Sequence, residues 1–354
     1  NRNIGLLADD LKVIRPTIMM SVPRIYEKVY DKIQDALVKK PAFVQKLFHT
    51  AVDVGYRRFC RENGLPVQGG FLSLFDPLIA GFLDKKVGAG IRGIFGGRPR
   101  IFISGGAAFN PEVSRTFLGL GINILQGYGM TETAPIMSVN KVGDNHPQTV
   151  GPALVNIEVR VGDNDELQMR GPSLMNGYWN RPADTKAVFT EDGWLRTGDQ
   201  ADIFSDGHIR IKGRIKEIIV TSTGEKVPPA DLEQALESDH LVSQAMVVGE
   251  NRPYIAALVV LNAQEWKKLA AELKLDADDP LSLDTRAARQ AVLRRVKAAA
   301  AGFPNYAVPR QVRLFLEPWS IENGLMTPTL KLKRGPMRIR FADAIESLYA
   351  EVKV

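Results

Sequence analysis

The sequence has one cysteine, Cys60, among 354 residues. A single thiol excludes an internal disulfide framework and a cysteine-based metal cluster, and Cys60 is expected as a buried helix residue. Histidine is scarce too: His49, His146, His208 and His240 show no ligand spacing along the chain, so no zinc site is expected. No uncharged run reaches the roughly 18 residues of a membrane span; the most apolar stretch, 71–83, is interrupted by Asp76 and Pro77. There is no signal-peptide pattern and no N-x-Ser/Thr acceptor, so a cytoplasmic compartment is expected. The chain lacks G-x-x-x-x-G-K-[ST], and even a Gly-Lys dipeptide. It also lacks a Cys-His nucleophile pair and G-x-S-x-G. Charge of either sign is not in excess: 46 basic against 40 acidic residues leave +6. That suits an anionic ligand but does not argue for nucleic acid.

What is present is an ordinary globular composition, 45% hydrophobic and 24% charged, at a length that suits two domains. A strand at 17–22 precedes Pro23, which suits a helix start. Ile25, Val29, Ile33 and Leu37 follow at helical spacing. Pro41 opens a second helix, and a third pattern spans 72–87. These helices mix aromatics with Lys and Arg. That suits a peripheral membrane face at the inner leaflet or, more simply, solvated helices with their apolar side on a core. Gly88-Ala89-Gly90-Ile91-Arg92-Gly93 fits G-x-G-x-x-G, but a helical pattern precedes it where a strand is required, so it is not taken as a dinucleotide fingerprint.

Strand 100–103 ending in Ser104-Gly105-Gly106-Ala107, a helix from Pro111, and strand 122–125 predict a parallel sheet with ligands at the strands' carboxyl ends. Beyond 150 the pattern becomes hairpins: 157–161 with 166–169, and 201–204 with 208–212. Gly213-Arg214-Ile215-Lys216 is a short polar joint. A smaller α+β domain follows it, with strands at 244–248, 255–261 and 311–316.

The richest stretch is Gln126-Gly127-Tyr128-Gly129-Met130-Thr131-Glu132-Thr133-Ala134-Pro135. Two glycines, a flat ring, hydroxyls and a carboxylate are the parts of a nucleotide and Mg²⁺ site. The plainer alternative is a Gly-rich turn with a helix cap at Thr131 or Thr133.

Gly127-Tyr128-Gly129-Met130-Thr131-Glu132 resembles the signature of the adenylate-forming enzymes. Four further stretches match in that family's order: Ser104-Gly105-Gly106-Ala107, Gly193-Trp194-Leu195-Arg196-Thr197-Gly198-Asp199, Gly213-Arg214-Ile215-Lys216-Glu217 and Thr327-Pro328-Thr329-Leu330-Lys331-Leu332-Lys333-Arg334. Arg15-Pro16-Thr17 and Val22-Pro23-Arg24-Ile25-Tyr26 resemble the long-chain fatty acyl-CoA synthetase branch in particular. The resemblance implies an α/β fold. Residues 1–212 would be the C-terminal part of a large domain (1–150 α/β, 151–212 β-rich), 213–216 a hinge, and 217–354 a mobile α+β lid. The family's phosphate loop would lie N-terminal to Asn1, so the chain is expected to be part of a longer enzyme and inactive alone.

The implied activity is ATP-dependent ligation of a fatty acid to coenzyme A through an acyl-adenylate. Alternatives are ligation of an aryl or medium-chain acid, or a non-catalytic acyl-adenylate-binding module. By resemblance, Gly105, Gly106, Ala107, Gln126, Gly127 and Tyr128 hold adenine, Thr131 touches the α-phosphate, and Glu132 holds Mg²⁺. Asp199 accepts both ribose hydroxyls, and Arg214 is a second ribose or phosphate contact. Lys216 is the hinge, and Gly224 with Glu225 lines the pantetheine channel. Lys331 is the catalytic lysine. The sequence departs from the family pattern at Leu330, where glycine is usual, and Lys333 competes for the lysine's role. Plainer readings stay open: strand-end and Gly turns at 105–107 and 223–226, a turn aspartate at Asp199, a surface cation at Arg214, and a solvated basic tail around 331–340. Acyl length and oligomeric state leave no spacing signature.

Overall fold

The computed structural model describes residues 7–67, 69, 71–106, 109–327 and 331–350. The chain divides into two compact units, Asn1–Thr197 with Ala201–Ile211, and Gly198–Gln200 with Lys212–Val354.

In the first unit, α1 (Leu7–Ile14) precedes β1 (Ile18–Ser21), and β2 (Ile101–Ser104), β3 (Ile124–Gly129) and β4 (Ile136–Val139) complete a sheet in the order β1-β2-β3-β4. The first three strands are parallel and β4 is antiparallel, so the expected parallel sheet carries one antiparallel edge. α2 (Pro23–Val38) starts on Pro23 after an extended Val22 and buries Tyr26, Tyr30, Ile33 and Leu37, spaced for one helical face. Tyr26 lies fully buried among Phe95, Phe102, Phe109 and Phe117, with ring centroids 5.4–6.5 Å away. Each such side chain contributes roughly 1.5–3 kcal/mol through burial, so this cluster anchors β2 and α6 (Pro111–Gly119) under the sheet.

α3 (Ala42–Glu62) carries buried Cys60. The helical pattern expected to end near 87 runs further: α4 (Asp76–Leu83) passes through a π-turn, Asp84–Gly88, into α5 (Ala89–Ile94). The G-x-G-x-x-G match is therefore largely helical, for want of a preceding strand to turn it. Asp76, which interrupts the apolar stretch, is buried and takes two 2.7 Å hydrogen bonds from Arg57. Those bonds, against the cost of burial, hold its carboxyl below the usual range. No helix among the described residues is long and apolar enough to cross a membrane.

A second sheet has the order β5-β6-β7-β8: β5 (Glu158–Val161), β6 (Glu166–Arg170), β7 (Leu195–Ile203) and β8 (Ile209–Arg214). α7 (Pro182–Val188) lies between β6 and β7 in sequence. β7 begins earlier than the alternation at 201–204 suggests. Leu195 is fully buried, and the Trp194 ring before it is flanked by the Arg160 and Arg170 guanidiniums at 4.4 and 4.8 Å.

The second unit is a three-stranded sheet: β11 (Val242–Val248) antiparallel to β12 (Ala256–Leu261), which is parallel to β13 (Gln311–Phe315). It is preceded by the short pair β9 (Ile219–Val220) and β10 (Lys226–Val227). Every residue of β12 is buried, because both faces are covered. Ala257, Val259 and Leu261 pack with residues of α8 (Pro229–Glu237), α9 (Ala263–Glu272) and α10 (Arg286–Ala299). Ala256, Leu258 and Val260 pack with Trp319, Leu325, and Met337 and Leu348 of α11 (Arg334–Arg340) and α12 (Ala342–Ala350).

Candidate functional site

In the first unit the parallel pairing stops in line across the three strands, and β3 alone runs on. Ser21 pairs with Ser104, and Ser104 with Gln126. Just past β2, Gly105 N–H donates to the Ser21 carbonyl at 3.2 Å, and Gly106 takes φ +87°, the left-handed conformation that favours glycine. Ala107 lies outside the described residues. The signature differs from its expected form. Gln126 to Gly129 are not a turn after a strand; they are the end of β3, paired to β4 at Gly127–Val139, Tyr128–Ser138 and Gly129–Ile136. The pairing partner lies beyond the turn, which the local pattern of 122–125 does not register.

The second glycine is a packing requirement. A Cβ on Gly129 would lie 1.8 Å from the Pro135 carbonyl oxygen and 2.8 Å from Ile136 Cα. Both are backbone atoms, so no side chain can turn aside. Gly129→Ala is expected to destabilise the first unit by about 3 kcal/mol, read as a lower denaturant midpoint. An unchanged midpoint would show that the strand relaxes.

Gln126 does not offer its side-chain amide outward: Nε2 donates to the Pro147 carbonyl, and the Gln126 carbonyl accepts from Asn140 N–H at 2.9 Å. Thr131 is exposed and Glu132 half-buried on a single 3₁₀ turn, Thr131–Thr133. Thr133, not Thr131, closes that turn: its buried hydroxyl accepts from Met130 N–H at 3.0 Å. Glu132 is held by a residue that sequence inspection missed. Tyr178 donates its hydroxyl to Glu132 Oε1 at 2.7 Å, and that bond, with some desolvation, pushes the phenol up to about 12. Tyr178 also lines an open cleft of about 440 Å³ with Arg181 and Lys186. The only sequence signal for it is an aromatic pair, Tyr178-Trp179, in a loop.

In the second unit, Asp199 is a strand residue of β7 rather than a turn aspartate, and its side chain is largely buried. Arg214, at the end of β8, places Nε 3.6 Å from Asp199 Oδ1 and Nη1 3.9 Å from Glu217 Oε1. Lys331 joins this group although it retains exposed surface. Partial burial of its ammonium first, and the Arg214 charge second, lower its pKa, while Asp199 and Glu217 oppose the change.

Lys331 stands beside an antiparallel bridge between Met326 and Leu332. Thr327 N–H donates to the Lys331 carbonyl at 2.8 Å, Lys331 N–H to Thr327 Oγ1 at 3.0 Å, and Lys333 N–H to the Leu325 carbonyl at 2.9 Å. Residues 328–330, including the divergent Leu330, lie outside the described residues. Arg334 fixes the next turn: it grips Glu233 with two bonds, 2.9 and 2.6 Å, and reaches Glu217 at 3.2 Å. Lys216 is exposed on the 3₁₀ turn Ile215–Glu217, just inside the second unit. Gly224 and Glu225 are exposed on the turn joining β9 to β10, which Thr221 braces by accepting from Glu225 N–H at 3.1 Å.

The architecture is that of the adenylate-forming enzymes. The A domain of the carboxylic acid reductase from Segniliparus rugosus, solved with AMP and a co-purified carboxylic acid, superposes with a TM-score of 0.68 at 24% identity, over 99% of this chain and 50% of that one. The chain belongs to the AMP-binding enzyme family: residues 1–179 match that family, and residues 216–353 match the AMP-binding enzyme C-terminal domain. It is 33% identical over 344 residues to the long-chain-fatty-acid–CoA ligase FadD15 of Mycobacterium bovis, covering 96% of this chain and 56% of that protein. It is 31% identical to the peroxisomal long chain acyl-CoA synthetase 7 of Arabidopsis thaliana, covering 98% and 50%. The chain thus spans about half the length of the curated relatives it matches.

Proposed function

We propose that the chain is part of an AMP-forming long-chain fatty acid–CoA ligase, with ATP, a fatty acid and coenzyme A as substrates. The observation that carries this reading is the second unit's polar group. Asp199, the pair Arg214 and Glu217, and Lys331 come from three separate stretches of sequence and form one electrostatically coupled set. An acceptor-only carboxylate suits a ribose diol. A guanidinium and an ammonium beside it suit the phosphate and carboxylate oxygens that gain charge as a carboxylate attacks the α-phosphorus and pyrophosphate leaves. Such catalysis rests on positioning and charge stabilisation.

Glu132, half-buried and oriented by Tyr178, fits a Mg²⁺ site, since Mg²⁺ takes one or two carboxylates and keeps water and phosphate as its other ligands. When bound, that ion would neutralise phosphate charge. Thr131 would then contact the α-phosphate, and residues 105, 106 and 126–128 would bound the adenine. Residues 213–216 would be the joint about which 217–354 moves between half-reactions, with Gly224 and Glu225 beside the pantetheine arm. A cytoplasmic location belongs to the same reading. The exposed apolar face of Leu74, Leu78 and Phe82 suits peripheral membrane contact.

The test is thermal unfolding of the complete enzyme with non-hydrolysable acyl-adenylate mimics carrying long-chain or aryl groups. At about 100 times its dissociation constant, a bound mimic adds roughly 2.7 kcal/mol. The expected result is a shift selective for the long chain and abolished in Asp199→Ala. An aryl-selective shift, or none with either mimic, would sink this reading.

A further inference from the structure

We propose that the first unit carries a divalent transition-metal site, of the Zn²⁺ class, built from Asp144, His146 and His208 and oriented by Asp206. His146 and His208 lie far apart in sequence, yet their rings stack 3.8 Å apart and within 5° of parallel. Asp144 Oδ1 is 3.8 Å from His146 Nε2 and 3.5 Å from His208 Nε2. Asp206 holds the opposite edge, with Oδ2 3.7 Å from His146 Nδ1 and Oδ1 3.3 Å from His208 Nδ1. Both Nε2 atoms therefore converge on one carboxylate and both Nδ1 atoms on another. One donor atom from each of Asp144, His146 and His208 can be chosen with all three within 4.8 Å of one another.

A second observation points to a ligand. The His208 side chain is 2% exposed, and neither ring nitrogen makes a hydrogen bond. Buried polar atoms are ordinarily hydrogen-bonded, so a buried imidazole that faces a carboxylate at each nitrogen, within ion-pair distance but without a well-formed hydrogen bond, suits a cation held among them. Imidazole with carboxylate suits Zn²⁺, Co²⁺, Ni²⁺ or Cu²⁺ rather than Mg²⁺. Neighbouring ligands of a tetrahedral Zn²⁺ stand about 3.4 Å apart, given bond lengths near 2.0–2.1 Å. The stacked rings hold their Nε2 lone pairs nearly parallel, so binding one ion requires a ring to turn out of the stack as well as the distances to close, and the partly exposed His146 is the ring free to turn. Asp206 then fills the usual outer position, accepting from the ring N–H groups opposite the metal, and water completes the coordination.

The scaffold is built before any ion arrives. His146 N–H donates to Asn140 Oδ1 at 3.0 Å, and buried Asn140 returns Nδ2 to the Thr149 and His146 carbonyls at 2.8 and 3.3 Å. His208 N–H donates to Asp206 Oδ1 at 3.0 Å. A metal here would clasp loop 140–149 to the turn between β7 and β8. Because Gln126 holds Pro147, the clasp would brace the end of β3 as well.

The test is titration of the chain with Zn²⁺ by calorimetry and with Co²⁺ by its visible d–d absorption. One ion per chain, tetrahedral Co²⁺ bands and a chelator-reversible rise in Tm are expected. Asp144→Ala and His146→Ala, both at accessible positions, should lose the bands without lowering the metal-free Tm. Asp206→Asn should weaken binding by about 10–100-fold. Glu132→Gln should leave Zn²⁺ uptake unchanged, which separates this site from the proposed Mg²⁺ ligand. No saturable uptake, or equal affinity in Asp144→Ala and His146→Ala, or loss of uptake in Glu132→Gln, would overturn the assignment.

Discussion

Lys331→Ala in the complete enzyme is expected to slow acyl-adenylate formation by about 10²–10³-fold, the usual cost of removing one group that stabilises transition-state charge. Thioester formation from preformed acyl-adenylate should change little. The ammonium stands where partial burial and Arg214 work against its charge while Asp199 and Glu217 support it. Two substrate anions arriving beside it would favour the charged form further, so its interaction strengthens as phosphate and carboxylate charge concentrate. Lys333→Ala is the companion variant, because the two lysines stand only two residues apart. Single-turnover pyrophosphate release and acyl transfer, measured separately, decide the matter. Equal loss in both half-reactions would count against Lys331 acting in one chemical step, and a larger loss in Lys333→Ala would transfer the role.

Arg334→Ala is expected to destabilise the second unit by about 3–5 kcal/mol, the cost of stripping one partner from a buried ion pair. The Arg334 and Glu233 side chains are only 14% and 9% exposed. Glu233 also accepts from Val247 N–H of β11 at 2.8 Å, so the pair ties the start of α11 to both α8 and the central sheet. Burial raises the Glu233 pKa, and Arg334 works against that rise. Without Arg334 the carboxyl would be left to protonate in place. Denaturant unfolding of Arg334→Ala, Glu233→Ala and the double variant tests this. The double variant should lose clearly less than the two singles combined, since they share one interaction. Additive losses would show that the two residues stabilise the unit independently.

Several features were legible because they are local. Helical spacing and prolines mark α2, α3 and α6. Alternation marks the β5–β6 hairpin, and an apolar run marks β12. Five ordered motifs were enough to indicate the family, because spacing along a chain survives without knowledge of the fold. Lone residues were less legible. Asp199 after a glycine looks like a turn residue, and only the pairing of β7 with its neighbours makes it a strand position.

The sequence by itself thus determined many of the elements, the family, the presence of a β-rich region and the candidate polar residues. Tertiary structure alone decided which of those residues meet. Tyr178 reaches Glu132 across 46 positions, and Arg334 reaches Glu233 across 101. His146 stacks on His208 although no ligand spacing links them. The glycine at 129 is required because Pro135 folds back against it, not because of any turn it makes itself. The physical reason is the same in each case. Helix and strand patterns follow from bonds and contacts a few residues away, whereas a carboxylate's partner is set by how sheets and helices pack, and that packing is a property of the whole chain.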